Sequence, residues 1–170
     1  MTSKILLATI ATVLTASIIV PAMAISFAPW QLVSSSSVTA IGPQVTQASV
    51  TAAAPIPIQT SVLGGFAWFY ASGPNTVFAA TTHNGVRDSN QNPNGWHVHN
   101  VQLTTGTATS TACIAGVSSD TTAGLSIQED TMKVNVHNSE LSGPLTGSAV
   151  AFSIVVDSGC SSGLGVVVNP

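Results

Sequence analysis

The chain has 170 residues, only 5% of them Asp, Glu, Lys or Arg, and a formal net charge of −3. Ordinary globular proteins carry about a quarter charged residues, so solubility here rests on Ser, Thr, Asn and Gln. Beyond residue 24 the basic side chains other than histidine are Arg87 and Lys133; this argues against nucleic acid as a partner, because a phosphate backbone needs several Lys or Arg contacts, and it excludes electrostatic binding to an anionic membrane.

At the amino terminus, Lys4 precedes an apolar run over residues 5–20, followed by Pro21 and the small-x-small pair Ala22 and Ala24. This reads as a secretory signal peptide over residues 1–24, cut after Ala24. The alternative is an uncleaved anchor, since the run approaches spanning length. No later run is long enough to cross a bilayer as a helix. Residues 25–60, above all "QLVSSSSVTAIGPQVTQASVTAAAPIPIQT" (31–60), are rich in Ser, Thr, Ala and Pro and read as a linker or stalk. The β-branched residues in "SVTAIG" and "QVTQASV" leave room for one or two edge strands.

From residue 61 to 170 the pattern is short strands between turn signals. Candidates are "GFAWFYA" (65–71), "TVFAATT" (76–82), "WHVHNVQL" (96–103), "STACIAGV" (110–117), "TAGLSIQ" (122–128), "TMKVNVH" (131–137), "SAVAFSIVV" (148–156) and "GLGVVVN" (163–169). Gly, Pro, Asn and Asp fill nearly every gap. The spacing predicts an all-β domain, a single antiparallel β-sandwich of Greek-key or barrel-like form. Glu129 and Asp130 are the only residues between two alternating runs, which is hairpin spacing. Cys113 and Cys160, an even pair in an exported chain, read as a disulfide that would contribute about 4 kcal/mol by closing its loop; the alternative is two buried thiols or a metal-ligating cysteine. No Asn-x-Ser/Thr sequon occurs.

"GWHVHN" (95–100) sets His97 and His99 on one side of a strand. Trp96 and Val98 belong inside, which sends both histidines outward, yet Val101 and Leu103 are in phase with the histidines. A β-bulge near Asn100 resolves the conflict; the alternative is that the histidines face in and Trp96 is a partly exposed strand end. In "TMKVNVH" the apolar face is Met132, Val134 and Val136, so His137 points outward. Three outward imidazoles, His97, His99 and His137, form a candidate copper or zinc ligand set, with His83 from the "HNG" turn as a fourth ligand.

"GWHVHN" resembles the G-F-H-V-H strand of copper/zinc superoxide dismutases and the H-x-H strand of CHRD (chordin-type) sandwich modules. The matching positions are His97, His99, His137 in "VNVHN", and Cys113 with Cys160 before "GLGV". The resemblance implies a β-sandwich, a copper site at the three histidines and a disulfide. The long zinc-binding loop of the dismutases is missing, and no arginine stands just before Cys160, where Asp157 is the nearest charged residue, so anion steering to a copper is lost. The resemblance therefore supports fold and metal but not dismutation.

Other chemistries fit less well. In "DSNQNPNG" (88–95), Pro93 stands where a calcium loop needs glycine, and His99 where it needs glutamate. No G-x-S-x-G elbow exists, and Glu129 and Asp130, adjacent in a turn, are splayed apart. The aromatic run "FAWFY" (66–70) reads as core. The sequence thus points to an exported or cell-surface, non-catalytic β-sandwich carrying a surface copper or zinc site. Two alternatives are a copper-dependent redox protein and an adhesin, pilus or surface-layer subunit that self-associates through strand edges. The exported chain is expected to begin at Ile25; intact-mass analysis that finds Met1 retained would identify an anchor instead.

Overall fold

The computed structural model describes residues 25–82, 95–118 and 123–169. The signal segment, His83 and most of "DSNQNPNG" lie outside these residues. The described chain is all-β, with ten strands: β1 (Val33–Ala40), β2 (Val45–Ala52), β3 (Gly64–Tyr70), β4 (Gly73–Thr82), β5 (His97–Thr105), β6 (Ala112–Val117), β7 (Gly124–Gln128), β8 (Thr131–His137), β9 (Leu145–Val156) and β10 (Leu164–Val168). Two single-turn 3-10 helices, Pro29–Gln31 and Asn138–Glu140, complete it. Six strands close an antiparallel barrel in the order β10-β6-β5-β4-β3-β9, and four form a separate antiparallel sheet, β1-β2-β8-β7.

The expected sandwich is thus a sheet laid against the wall of a barrel. Alternation along each strand builds two cores. Ala48, Val50 and Ala52 of β2 and Met132, Val134 and Val136 of β8 face the barrel and meet Phe66, Trp68, Phe78, Ala80 and Val98 on its outer wall. The intervening residues of the wall, Ala67, Val77, Ala79, Val101 and Phe152, point into the barrel together with Val166 of β10. Strands β3, β4 and β5 are therefore buried on both faces, and such strands read as near-continuous apolar runs, as "GFAWFYA" does.

The stretch read as a linker or stalk over 25–60 holds the strands for which "SVTAIG" and "QVTQASV" left room. Two of its segments are β1 and β2, and the segment before them is anchored by Trp30, which packs edge-on against Phe66 at 5.8 Å and Trp96 at 5.5 Å. Gln31 is fully buried: its Nε2 donates to the Phe152 carbonyl (2.8 Å) and its Oε1 accepts from the Ala28 N–H (3.0 Å). Gly64 makes room for it, since a Cβ there would sit 2.3 Å from the Phe152 carbonyl oxygen and 2.8 Å from Gln31 Nε2. Trp96 is half-buried and donates through Nε1 to the Pro57 carbonyl (2.8 Å), which ties residues 53–60 to the barrel.

The bulge expected near Asn100 is also relocated. Strand β5 pairs with β4 without interruption from His97 to Gln102. The irregularity lies against β6, where Gln102 opposes Gly116 and Leu103 opposes Ile114, leaving Ala115 as the extra residue on the partner strand. The hairpin at Glu129–Asp130 forms as expected, with Gln128 opposite Thr131. Glu129 holds φ of 53°, and the carbonyls of Glu129 and Asp130 accept from the N–H groups of Ile56 and Ala52, both at 2.8 Å.

Cys113 and Cys160 are bonded, with S–S of 2.02 Å. The bond sits where the barrel is weakest: among the described residues, β10 meets β6 only at Gly165↔Cys113 and Val166↔Ala112. If the amino-terminal segment belongs to the cooperative unit, Trp30→Ala should cost about 3–5 kcal/mol, as large aromatic truncations in a core do. Urea unfolding of the two proteins checks this; a difference below about 0.5 kcal/mol, the range of surface changes, would detach residues 25–60 from the fold.

Candidate functional site

The interior of the barrel is not filled. A cavity of about 580 Å³ runs along it, walled by the inward-facing residues of all six strands. Its body is apolar, with Phe69, Val101, Leu103, Ile114, Phe152 and Ile154 as the larger side chains. Among the described residues no Asp, Glu, Lys or Arg lines it, and His99 is the one titratable side chain on its wall. Small residues at Ala67, Ala79 and Ala112 leave the space open, because an inward alanine fills far less volume than the leucine or valine that packs the interior of a closed small barrel.

The two ends of the cavity differ. At one end Pro74, Asn75, Thr104 and Thr105 form an exposed rim. At the other, Thr81 of β4 and His99 of β5 are buried at 5% and 2% exposure. The β4–β5 register places Thr81 opposite His97 and Ala79 opposite His99. Thr81 and His99 are therefore diagonal neighbours on one face, about 7–8 Å apart at Cα. His99 Nδ1 lies 3.2 Å from the Ser118 carbonyl oxygen. A carbonyl only accepts, so Nδ1 carries the proton, and in the neutral ring Nε2 is the acceptor. Thr81 Oγ1 is buried without a hydrogen-bond partner among the described residues.

The four histidines singled out in the sequence separate in space. His97 and His99 lie together, ring centroids 6.2 Å apart and planes nearly parallel, but they point to the inside of the barrel rather than outward. The reason is the double burial of β5: Val98 belongs to the core beneath the sheet, so the histidine phase and the Val101 and Leu103 phase are both the luminal one. His137 does point outward, from the solvent face of β8 in the other sheet. Both of its ring nitrogens are engaged, Nδ1 with Ser139 Oγ (2.7 Å) and Nε2 with Gln44 Oε1 (3.1 Å). The structure therefore does not join His137 to the pair, and among the described residues no three His, Cys, Asp or Glu side chains converge. His83 lies outside the described residues. Thr81 was absent from the sequence-based set, although the inward alternation of Val77 and Ala79 in "TVFAATT" continues to it.

A second polar cluster lies outside the lumen, beside the disulfide. Asp157 is 5% exposed. Its Oδ2 accepts from Thr107 Oγ1 (2.5 Å) and Ser110 Oγ (2.7 Å), and its Oδ1 from the Gly159 N–H (2.9 Å). These donors, Thr107 foremost and then Ser110, lower its pKa from 3.8 to about 2. Gly165 lets the loop approach, since a Cβ there would lie 2.5 Å from that of Ser110. The cluster is saturated and has no access to the cavity, so its role is to hold the loop before β6 against the loop before β10.

No protein-family model matches this chain, and neither a curated protein nor a solved structure matches it. The likeness of "GWHVHN" to superoxide dismutases and CHRD modules thus has no family match behind it, and what stands is an all-β chain with a six-stranded closed barrel and a disulfide.

The Asp157 cluster predicts a specific acid response. Its carboxyl ionises at lower pH folded than unfolded, so its contribution to stability is complete above the unfolded value of 3.8 and is lost as pH falls through about 2. Wild-type protein should therefore lose more stability than Asp157→Asn across that window. Denaturant unfolding at a series of pH values measures both slopes, and equal slopes would refute the assignment.

Proposed function

We propose that this chain is an exported, non-catalytic binding protein that holds a small, uncharged and mainly apolar molecule inside its barrel. The observation that carries the reading is the cavity: about 580 Å³, apolar along its body, without a charged wall side chain among the described residues, and with polar groups at its ends, of which Thr81 and His99 are buried. Binding sites for small molecules have this size and this division between an apolar body and a few placed polar groups. An ionised ligand would have to give up its hydration without a counter-charge, which is costly. The disulfide supports an extracytoplasmic setting, because such bonds persist in oxidising compartments.

The non-catalytic part of the reading rests on where the acids lie. Asp157 is saturated by its own donors outside the lumen, and Glu129 and Asp130 occupy a hairpin turn remote from it. General acid–base work needs a positioned titratable group at the reacting atoms, usually with a partner, and among the described residues His99 alone meets the cavity.

A matched pair of fluorescent probes tests the reading. N-phenyl-1-naphthylamine is neutral; 8-anilinonaphthalene-1-sulfonate has the same rings and a fixed negative charge. The neutral probe should bind with one equivalent per chain and at least about tenfold more tightly than the sulfonate, since about 1.4 kcal/mol already gives that ratio. Ala112→Phe, which places a ring in the cavity from β6, should abolish binding while the Cys113–Cys160 bond and a cooperative melt are retained. Failure of the neutral probe to bind, or equal binding by the filled variant, would overturn the proposal.

A further inference from the structure

The hydroxyl of Thr81 is chemically out of place where it stands. It is buried at 5% exposure, lines the cavity, and meets no hydrogen-bond partner among the described residues. A buried hydroxyl left unpaired is destabilising, and valine would fill the same space at this strand position without that cost. The neighbouring threonine shows the contrast: Thr82, on the opposite face of the same strand, donates through Oγ1 to the Val62 carbonyl. Partners are thus within reach of one hydroxyl at this strand end and not of the next.

Resting on the lumen reading above, we infer that Thr81 is the specificity-determining residue of the cavity. It anchors the polar end of an uncharged amphiphile: an apolar body carrying a single carbonyl or hydroxyl group that takes the Thr81 O–H as its hydrogen-bond partner. The geometry favours this orientation. Thr81 stands at the far end of the cavity from the exposed rim of Pro74, Asn75, Thr104 and Thr105, so the ligand's apolar body lies along Val101, Leu103 and Ile114 and its polar atom reaches the buried end. His99, on the adjacent strand and the same face, is held in one tautomer by the Ser118 carbonyl and gives that end a fixed polar wall. The hydroxyl determines selectivity more than affinity. A hydrocarbon of the same shape fills the apolar body but leaves the hydroxyl unpaired, and a site built to hydrogen-bond a ligand atom discriminates strongly against the analogue lacking it.

Two naphthalenes of matched shape provide the test: 2-acetylnaphthalene carries a carbonyl and 2-ethylnaphthalene does not. Each is titrated against the mature protein loaded with N-phenyl-1-naphthylamine, and displacement gives its affinity. In Thr81→Val the ratio of ketone to hydrocarbon affinity should fall about five- to tenfold relative to wild type, the effect of one net hydrogen bond, with hydrocarbon affinity unchanged or improved. Thr81→Ser, which keeps the hydroxyl, should retain the wild-type ratio. Ligand-free Thr81→Val should also melt at a higher temperature than wild type, because the unpaired hydroxyl is gone. A ratio unchanged in Thr81→Val, or lost equally in Thr81→Ser, would overturn the role of Thr81 and leave the cavity reading standing. If neither naphthalene displaces the bound probe from wild type, this inference falls, whereas the cavity reading falls only if the probe itself does not bind.

Discussion

Everything in this structure depends on one shared wall. Strands β3, β4 and β5 must be covered on two sides at once: outside by the sheet β1-β2-β8-β7, inside by the far half of the barrel. The outward side chains of the wall are large, with Phe66, Trp68, Tyr70 and Phe78 all essentially without exposure. The inward ones at Ala67 and Ala79 are small. That asymmetry does two things. Bulky aromatics occupy the space between wall and sheet, so the sheet can approach with Ala48, Val50 and Ala52 and still leave a dense core. Small residues on the other face keep the interior from filling. The cavity and the tight outer core are therefore two consequences of a single pattern of large and small residues.

The far side of the barrel is held differently. Its pairing between β6 and β10 is short, and polar and covalent links reinforce it: the Cys113–Cys160 bond, Ser162 Oγ donating to the Ile114 carbonyl (2.5 Å), and the Thr107–Asp157–Ser110 cluster. Apolar burial dominates the wall under the sheet, and cross-links dominate the seam. A barrel that keeps an open interior has fewer side-chain contacts across it to stabilise closure, and the cross-links act where that deficit falls.

The eight strands after residue 60 were legible because each alternates or runs apolar between Gly, Pro, Asn and Asp signals, and the hairpin at Glu129–Asp130 was legible from its spacing alone. Strands β1 and β2 were legible only in part, as the room that the β-branched residues of "SVTAIG" and "QVTQASV" left for one or two edge strands. Their inward residues are small, and Ser35, Ser37 and Thr39 face solvent, so the segment has the composition of a linker. What makes it a sheet is the aromatic surface of the barrel it covers, which no local window contains. The direction of His97 and His99 failed for a related reason. Alternation assigns a strand one inside, and β5 has two, so Val98 and Val101 each gave a valid but opposite answer. The Cys113–Cys160 pairing needed only an even count, whereas the separation of His137 from His97 and His99 needed the knowledge that they belong to different sheets. Thr81 was not legible because a threonine in a strand is ordinary; only the absence of a partner among the described residues makes it stand out.

The bond between Cys113 and Cys160 spans 47 residues of sequence, and the segment it encloses contains β7 and β8 of the sheet and β9 of the barrel. The protein is thus a covalent ring with two tails, and the ring passes through both halves of the architecture. A single peptide-bond cut anywhere inside that ring opens it but releases no fragment: both new ends stay attached through the sulfur bridge and remain next to their partners. When a protease meets this loop, one cleavage becomes a nick, and releasing a piece of the ring takes a second.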